Sequence, residues 1–406
     1  MYTLIKIAWR NIWRNKKRTI LTMLSIILAI FLSLFTRSMQ LGTFGSMINN
    51  AVKLSTGYIQ IHKKGYWENK SINETFSQTS KINRTIEANN NVTIYLPRLE
   101  SFALASSGEQ TKGTMVTGTI PYHEDKLNEY SDKIIRGKYL QSDDKAILIG
   151  DELAGFLKVD VGDTLVLLGQ GHHGVTAAAQ YPIKGILHLP LPQLNKQLVM
   201  MPLKECQYFF AAENRLTSIS IMLDDPELLD ITSNEIISGL SNEYEVMTWQ
   251  EMNKELVQFI DTKLVGGIIM LSILYIVIGF GVFGTVMMMT MERRKEFAIM
   301  VSIGMRKYKL LSVVFWETLL IGFVAIGIGL IIAYPLILYL SQNPIPLTGE
   351  FAESMKSVGS EPVMPFVSKP AIFINQTISV ILLALIAVTY PLFFILKFDV
   401  KKAMRS

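Results

Sequence analysis

The chain has 406 residues, 50% of them hydrophobic and only 18% charged, which is too apolar for an ordinary soluble domain and too polar for a bundle of membrane spans alone. Its formal net charge of +5 is unevenly spread: residues 1–18 carry +6, residues 292–309 carry +4 and residues 397–406 carry +3, leaving −8 for the remainder. Each basic segment abuts an apolar run, as cytoplasmic flanks do under the positive-inside rule, and this argues against nucleic acid as a partner. The single cysteine, Cys206, excludes an internal disulfide framework and reads as a small buried hydrophobe.

Residues 1–18 predict an amphipathic helix lying at a membrane surface. Leu4, Ile5, Ala8, Trp9, Ile12 and Trp13 recur at helical spacing as one apolar face, with Lys6, Arg10 and Arg14 beside it. Residues 19–41 hold a first span. Its apolar run from Thr19 to Thr36 is near the ~20 residues a crossing needs, is long for a signal peptide, and is followed by no A-x-A site. Residues 42–255 are of a different character. Tyr58–His62, Val92–Tyr95, Gly113–Thr119, Ala146–Ile149, Thr164–Leu168, Tyr181–Leu187, Leu198–Met201 and Ser218–Leu223 predict strands, and Asp225–Leu240 and Trp249–Thr262 predict helices. A segment of this size can bury its own core, so a mixed α/β domain outside the membrane is expected. Gly169–Gln180 (GQGHHGVTAAAQ) reads as a long, mobile hairpin loop. The adjacent His172 and His173 have no third ligand at a useful spacing, and no metal site is expected. N-x-T triplets at Asn73, Asn83 and Asn91 lie in an Asn-rich stretch and read as accidental.

Residues 256–291 form a stalk and second span, entered from Trp249–Thr262 without a proline, so one continuous rod is expected. Gly266, Gly267, Gly279, Gly281 and Gly284 are expected to let another helix approach closely. Residues 292–309 are a charged loop in which Phe297–Met305 is helix-compatible and Gly304 is a natural terminator. Residues 310–341 form a third span of ~31 residues, roughly 46 Å long against a ~30 Å hydrocarbon core, so the surplus must tilt or project. Glu317 lies about two turns into it. It is either a functional carboxylate or the interfacial partner of the loop's basic residues. An outer connection (342–370), a fourth span interrupted by Pro391 (371–396) and a basic tail (397–406) complete the chain.

Arg294, Glu296, Gly304 and Glu317 keep the spacing of the R-x-E…G…E signature found in the cytoplasmic coupling loop of FtsX/MacB-type ABC transporter permeases. The chain resembles that family over essentially its whole length. WRNIWRNKKRTILT resembles the family's opening, and Ile147–Leu168 (ILIGDELAGFLKVDVGDTLVLL) is similar to the periplasmic domain of the lipoprotein-releasing, LolC/LolE-like branch. Phe297, Met300 and Val400 stand where the family often has Gly, Arg and Pro.

The resemblance implies four transmembrane α-helices with a large mixed α/β periplasmic domain between the first and second. It also implies a bacterial inner membrane location with both termini cytoplasmic. Arg293, Arg294, Glu296, Phe297, Met300, Gly304, Met305 and Arg306 would contact a partner ATPase. Gly169, Gln170, Gly171, His172, His173 and Gly174 would form a loop for a periplasmic lipoprotein carrier. No G-x-x-x-x-G-K-[ST] run occurs, so no cofactor is expected on this chain, which is read as non-catalytic. ATP and Mg²⁺ belong to a dimeric ATPase subunit. A second permease chain, identical or homologous, membrane lipids and a lipoprotein cargo complete the expected partners. Peptide or macrolide efflux and regulation of cell-wall hydrolases are alternatives within the superfamily. A membrane-anchored receptor or scaffold without an ATPase is the alternative outside it.

Overall fold

The computed structural model describes residues 2–14, 16–357 and 362–397, and the chain divides into two compact units. One comprises Met1–Phe44, Phe259–Pro346 and Val363–Ser406; the other comprises Gly45–Gln258 and Leu347–Pro362. The basic tail expected at 397–406 lies outside the described residues from 398 onward.

The first unit is helical. Its elements are α1 (Tyr2–Arg14), α2 (Lys16–Ala51), α3 (Lys254–Glu292), α4 (Arg294–Ser302), α5 (Lys307–Gln342) and α6 (Pro370–Leu396), and α2 and α3 contribute residues to both units. Helices α2, α3, α5 and α6 are long and apolar enough to cross a membrane. Ile26, Ile30 and Leu34 of α2 pack with Val282 and Val286 of α3, Ile321 and Ala325 of α5, and Val380 and Val388 of α6. Pro335 and Pro391 sit inside α5 and α6 without ending them, as spanning helices tolerate when packed neighbours support the backbone.

Three expectations change here. The described helix of the N-terminal segment covers Tyr2–Arg14, residues 16–18 belong to α2, and the apolar face of α1 is divided: Ala8 and Ile12 are buried while Trp9 and Trp13 are exposed. The expected continuous rod is interrupted at Asn253 (φ −114°, ψ 50°). There a capping box between Thr248 and Glu251 starts a single turn, Trp249–Met252, and the Asn253 side chain bonds the Trp249 carbonyl at 2.9 Å, competing with the helical backbone. Of the five α3 glycines only two have a close neighbour. A Cβ on Gly267 would strike the Gln40 amide and one on Gly279 would press on Leu383, whereas Gly266, Gly281 and Gly284 face open space.

The second unit is built on ten strands: β1 (Ile59–Lys63), β2 (Val92–Ser107), β3 (Gln110–Thr119), β4 (Ile134–Gly137), β5 (Ile147–Gly150), β6 (Thr164–Gln170), β7 (Thr176–Leu187), β8 (Leu198–Pro202), β9 (Ser218–Leu223) and β10 (Tyr244–Thr248). Two layers share β2. The first half of β2 joins β1, β9 and β10 in an antiparallel sheet of order β10-β1-β9-β2. With helices Ser80–Glu87 and Leu229–Gly239 this makes a βαββαβ unit, cored by Ile59, Ile61, Ile82, Ile86, Ile219, Ile221 and Ile236. The second half of β2 closes a ring with β3, β8, β5, β7 and β6, in which β3–β8 and β5–β7 are parallel. Closure leaves this ring without a free edge. Period-two alternation fills it: Leu165 and Leu167 point inward with Leu99, Val116, Ile149 and Val199, while Val166 and Leu168 face out.

Cys206 is fully buried under this ring, its thiol donating to the Leu99 carbonyl at 3.5 Å. The expected long loop at 169–180 is instead a tight hairpin. Gly169 and Gln170 lie in β6, residues 176–180 lie in β7, and only Gly171–Val175 connect them. The reason is pairing: Gly169 is bonded across to both Ala103 and Ala177, so the small residues that read as loop are ladder positions. Asn91, the last of the N-x-T asparagines, is also structural, its amide reaching Thr232 at 3.0 Å and accepting from the Asp225 amide at 2.9 Å.

Candidate functional site

The charged segment between α3 and α5 folds as a short helix held on three sides. Arg293 stands at the junction of α3 and α4 and is only 7% exposed. Its Nη1 donates to both Glu317 oxygens, at 2.8 and 2.6 Å, and its Nη2 donates to the Asn11 carbonyl of α1 at 3.2 Å. One guanidinium thus ties α1, α4 and α5 together. An unpaired charge at this depth is expensive, so each member of the pair is tolerated only through the other. Thr19 adds a further clasp, donating to the Ile12 carbonyl at 2.8 Å.

The acidic residues flanking the loop face the N-terminal region. Arg14 pairs with Glu296, and Arg18 pairs with Glu292. On its inner side α4 buries Phe297 and Ala298 against Leu310, Val314 and Ile395. Its end is a Schellman motif: the Met305 amide donates to the Met300 carbonyl and the Gly304 amide to the Val301 carbonyl, both at 3.0 Å, with Gly304 at φ +102°. A Cβ on Gly304 would meet nothing, so the backbone angle is what calls for glycine there. The outer side carries Lys295 and Ile299, with Ile303, 82% exposed, at its end; Arg306 and Lys309, just beyond in the chain, are exposed too.

Of the eight residues expected in the coupling loop, Arg294, Glu296, Phe297 and Met300 lie in α4 and Arg293, Gly304, Met305 and Arg306 flank it; Arg293 and Phe297 are buried, and Met300 and Met305 are half-buried. Arg293, rather than its neighbour Arg294, engages Glu317, and the Asn11 carbonyl shares its guanidinium; neither relation is legible in the sequence. Of the two readings of Glu317, the structure places it in an ion pair with the loop.

The six residues of the expected carrier loop lie in the other unit and are tied down. The His172 amide donates to the Phe210 carbonyl at 2.8 Å, and the His173 amide donates to Asn73 Oδ1 at 2.7 Å. Gly171 passes so close to Phe210 that a Cβ would lie 2.7 Å from its carbonyl oxygen. Burial, and then the charges of His173, Arg215 and Lys63, lower the His172 pKa.

A second buried polar cluster was not legible in the sequence. Arg98 of β2 donates to Glu124 Oε1 at 2.7 Å and Oε2 at 3.1 Å, and also to the Ser55 carbonyl. Thr119 and Asn128 each donate to Glu124 at 2.9 Å. Burial opposes the Arg98 charge, yet Glu124 and Glu100 hold its pKa above the ordinary arginine value. Ser55 belongs to a π-helical turn, Val52–Thr56, that follows α2, and such turns concentrate at functional positions.

Comparison with known proteins now bears on this arrangement. Residues 19–238 match the family model of the MacB-like periplasmic core domain, and residues 268–400 match that of the FtsX-like permease C-terminal region. The lipoprotein-releasing system transmembrane protein LolC of Xylella fastidiosa (strain 9a5c) is 24% identical over 242 residues, covering 58% of this chain and 58% of that protein. The corresponding LolE of Haemophilus influenzae is 22% identical over 279 residues, covering 66% of each. The chain thus spans little more than half of the first of these relatives. Among solved structures, the periplasmic region of MacB from Actinobacillus actinomycetemcomitans matches with 12% identity and a TM-score of 0.34, covering 49% of this chain and 91% of that one. With a MacB-like core between its first two candidate spans and an FtsX-like region across the rest, the chain belongs to the FtsX/MacB family of ABC transporter permeases.

Proposed function

We propose that this chain is the non-catalytic membrane subunit through which a separate dimeric ATPase, carrying ATP and Mg²⁺, drives an outer domain, and that the cargo is a lipoprotein. The observation that carries this reading is the Arg293–Glu317–Asn11 cluster, which makes α4 a braced element rather than a slack loop. The exposed Ile299 and Ile303, in a segment rich in exposed cations, suit an apolar pocket with an acidic rim on such a motor. Arg294, Glu296, Met300, Met305 and Arg306 border that surface.

The basic loop and termini lie on the cytoplasmic face, and the strand-rich unit lies in the periplasm. Closure of the ATPase displaces α4; α3 and α5 pass that displacement to the outer domain, and a second permease chain completes the assembly. Support for the cargo comes from the names of the LolC and LolE relatives. The short tethered turn at Gly171–Val175 limits any carrier contact there to a small, rigid surface.

The test is reconstitution with the candidate ATPase and a lipidated cargo. Arg294→Ala with Glu296→Ala is expected to retain the complex and lower cargo release at least ~10-fold, the size of a typical allosteric coupling. Unchanged release, or purification from the membrane with no nucleotide-binding subunit, overturns the proposal.

A further inference from the structure

Of the six cations in residues 1–18, Arg14 and Arg18 are spent on Glu296 and Glu292. Lys6, Arg10, Lys16 and Lys17 are exposed and have no carboxylate partner among the described residues. Two of them share a face with aromatic rings. Ala8 and Ile12 turn inward, which sends Lys6 and Arg10, one turn apart, and Trp9 and Trp13, also one turn apart, to the outside of α1. The two indoles are 44% and 52% exposed and meet edge to face with centroids 6.1 Å apart.

The depth of this face is set by the chain itself. The apolar run of α2 begins at Thr19, and Thr19 is bonded back to Ile12, so α1 lies where hydrocarbon gives way to headgroups. Indoles prefer that layer, and unpaired cations beside them meet lipid phosphates there.

We infer that the outer face of α1, with Lys16 and Lys17 just beyond it, is a binding surface for the headgroups of anionic phospholipids. Phosphodiester oxygens accept from Lys6, Arg10, Lys16 and Lys17 while Trp9 and Trp13 sink between the headgroups. The same helix presents the Asn11 carbonyl to Arg293 from its opposite side. Occupied headgroup sites therefore hold α1 against the braced segment, which makes the surface charge of the bilayer an input to that segment. The lipid site itself does not depend on the ATPase reading.

The full chain, with Trp67, Trp249 and Trp316 changed to Phe so that only Trp9 and Trp13 emit, is placed in vesicles containing brominated phosphatidylglycerol or brominated phosphatidylcholine at matched mole fraction. The expected result is that the anionic lipid quenches at least ~3-fold more steeply, and that the preference vanishes near 1 M NaCl, where the screening length falls to ~3 Å. In Lys6→Gln/Arg10→Gln/Lys16→Gln/Lys17→Gln the preference is expected to disappear while some quenching by both lipids remains. Equal quenching of the starting protein by the two lipids at low salt overturns the inference, as does a preference that salt leaves untouched. The salt arm stands even if the quadruple variant does not fold. Because no ATPase is present, failure here leaves the coupling proposal unaffected, and the converse also holds.

Discussion

Arg293 and Glu317 are 24 positions apart in the chain, and a single guanidinium nitrogen of Arg293 lies within hydrogen-bond distance of both Glu317 oxygens. Their side chains are 8% and 5% exposed. Glu317→Ala would leave the arginine charge stranded. The expected loss is about 3–5 kcal/mol in the stability of the helical unit, measured by thermal unfolding in detergent. Arg293→Met combined with Glu317→Leu is expected to recover most of that loss, because two well-packed apolar side chains replace the pair at little cost. If the double variant is no more stable than Glu317→Ala, the pair is not the source of the effect.

Gly304→Ala tests the terminator of α4. There is room for the methyl group, so any cost comes from holding alanine at φ +102°. About 1–3 kcal/mol is expected. The consequence should be local, with faster amide exchange at Gly304 and Met305, whose hydrogen bonds close the motif, and little change elsewhere.

His62 makes the outer unit sensitive to acid. It is fully buried against the rings of Tyr66 and Trp67, and Nε2 is 2.7 Å from Gln60 Oε1. Burial, reinforced by the nearby Lys70 charge, lowers its pKa to about 3. The unfolded chain binds a proton near the ordinary value of about 6.5, whereas the folded chain resists it. The neutral form's contribution is therefore complete above about 6.5 and erodes as pH falls towards about 3. His62→Gln is expected to flatten this part of the pH profile of the denaturation midpoint, with a difference of up to a few kcal/mol by pH 4. Parallel profiles for the two proteins would contradict it.

Cys206 should behave as a clock for opening of the ring. Burial, and to a lesser degree the Glu100 and Glu205 charges, push its thiol up, and the thiolate is the reactive form. Maleimide labelling of the native protein is expected to be slower than that of the unfolded chain by a factor of about 10³ or more, in proportion to the free energy of local opening. Gly118→Ala, whose Cβ would lie 2.2 Å from the Cys206 Cβ, should accelerate labelling markedly.

All eight strands read from alternation and β-branching are present, because a half-buried ladder writes its period directly into the chain. The misses have physical causes. Helix Ser80–Glu87 buries only Ile82 and Ile86, too few apolar positions to show a period. The second half of β2 alternates Phe102 and Leu104 outward with Ala103 and Ala105 inward, so its inner face looks weak and its outer face strong, the reverse of the usual signal. At the candidate site, composition marked the charged segment and Glu317, which the structure joins in an ion pair. It did not show which of two adjacent arginines turns inward, since that depends on the break between α3 and α4 at Arg293. Arg98 and Glu124 carry no local signature, because only the crossing of β2 with helix Pro121–Asn128 brings them together.

The 16-residue strand β2 is common property of the open sheet and the closed ring. The backbone runs straight from one layer into the other, and the residues on either side of the junction, Arg98 and Leu99, are both paired. The strand-rich unit should therefore melt in one calorimetric peak rather than two.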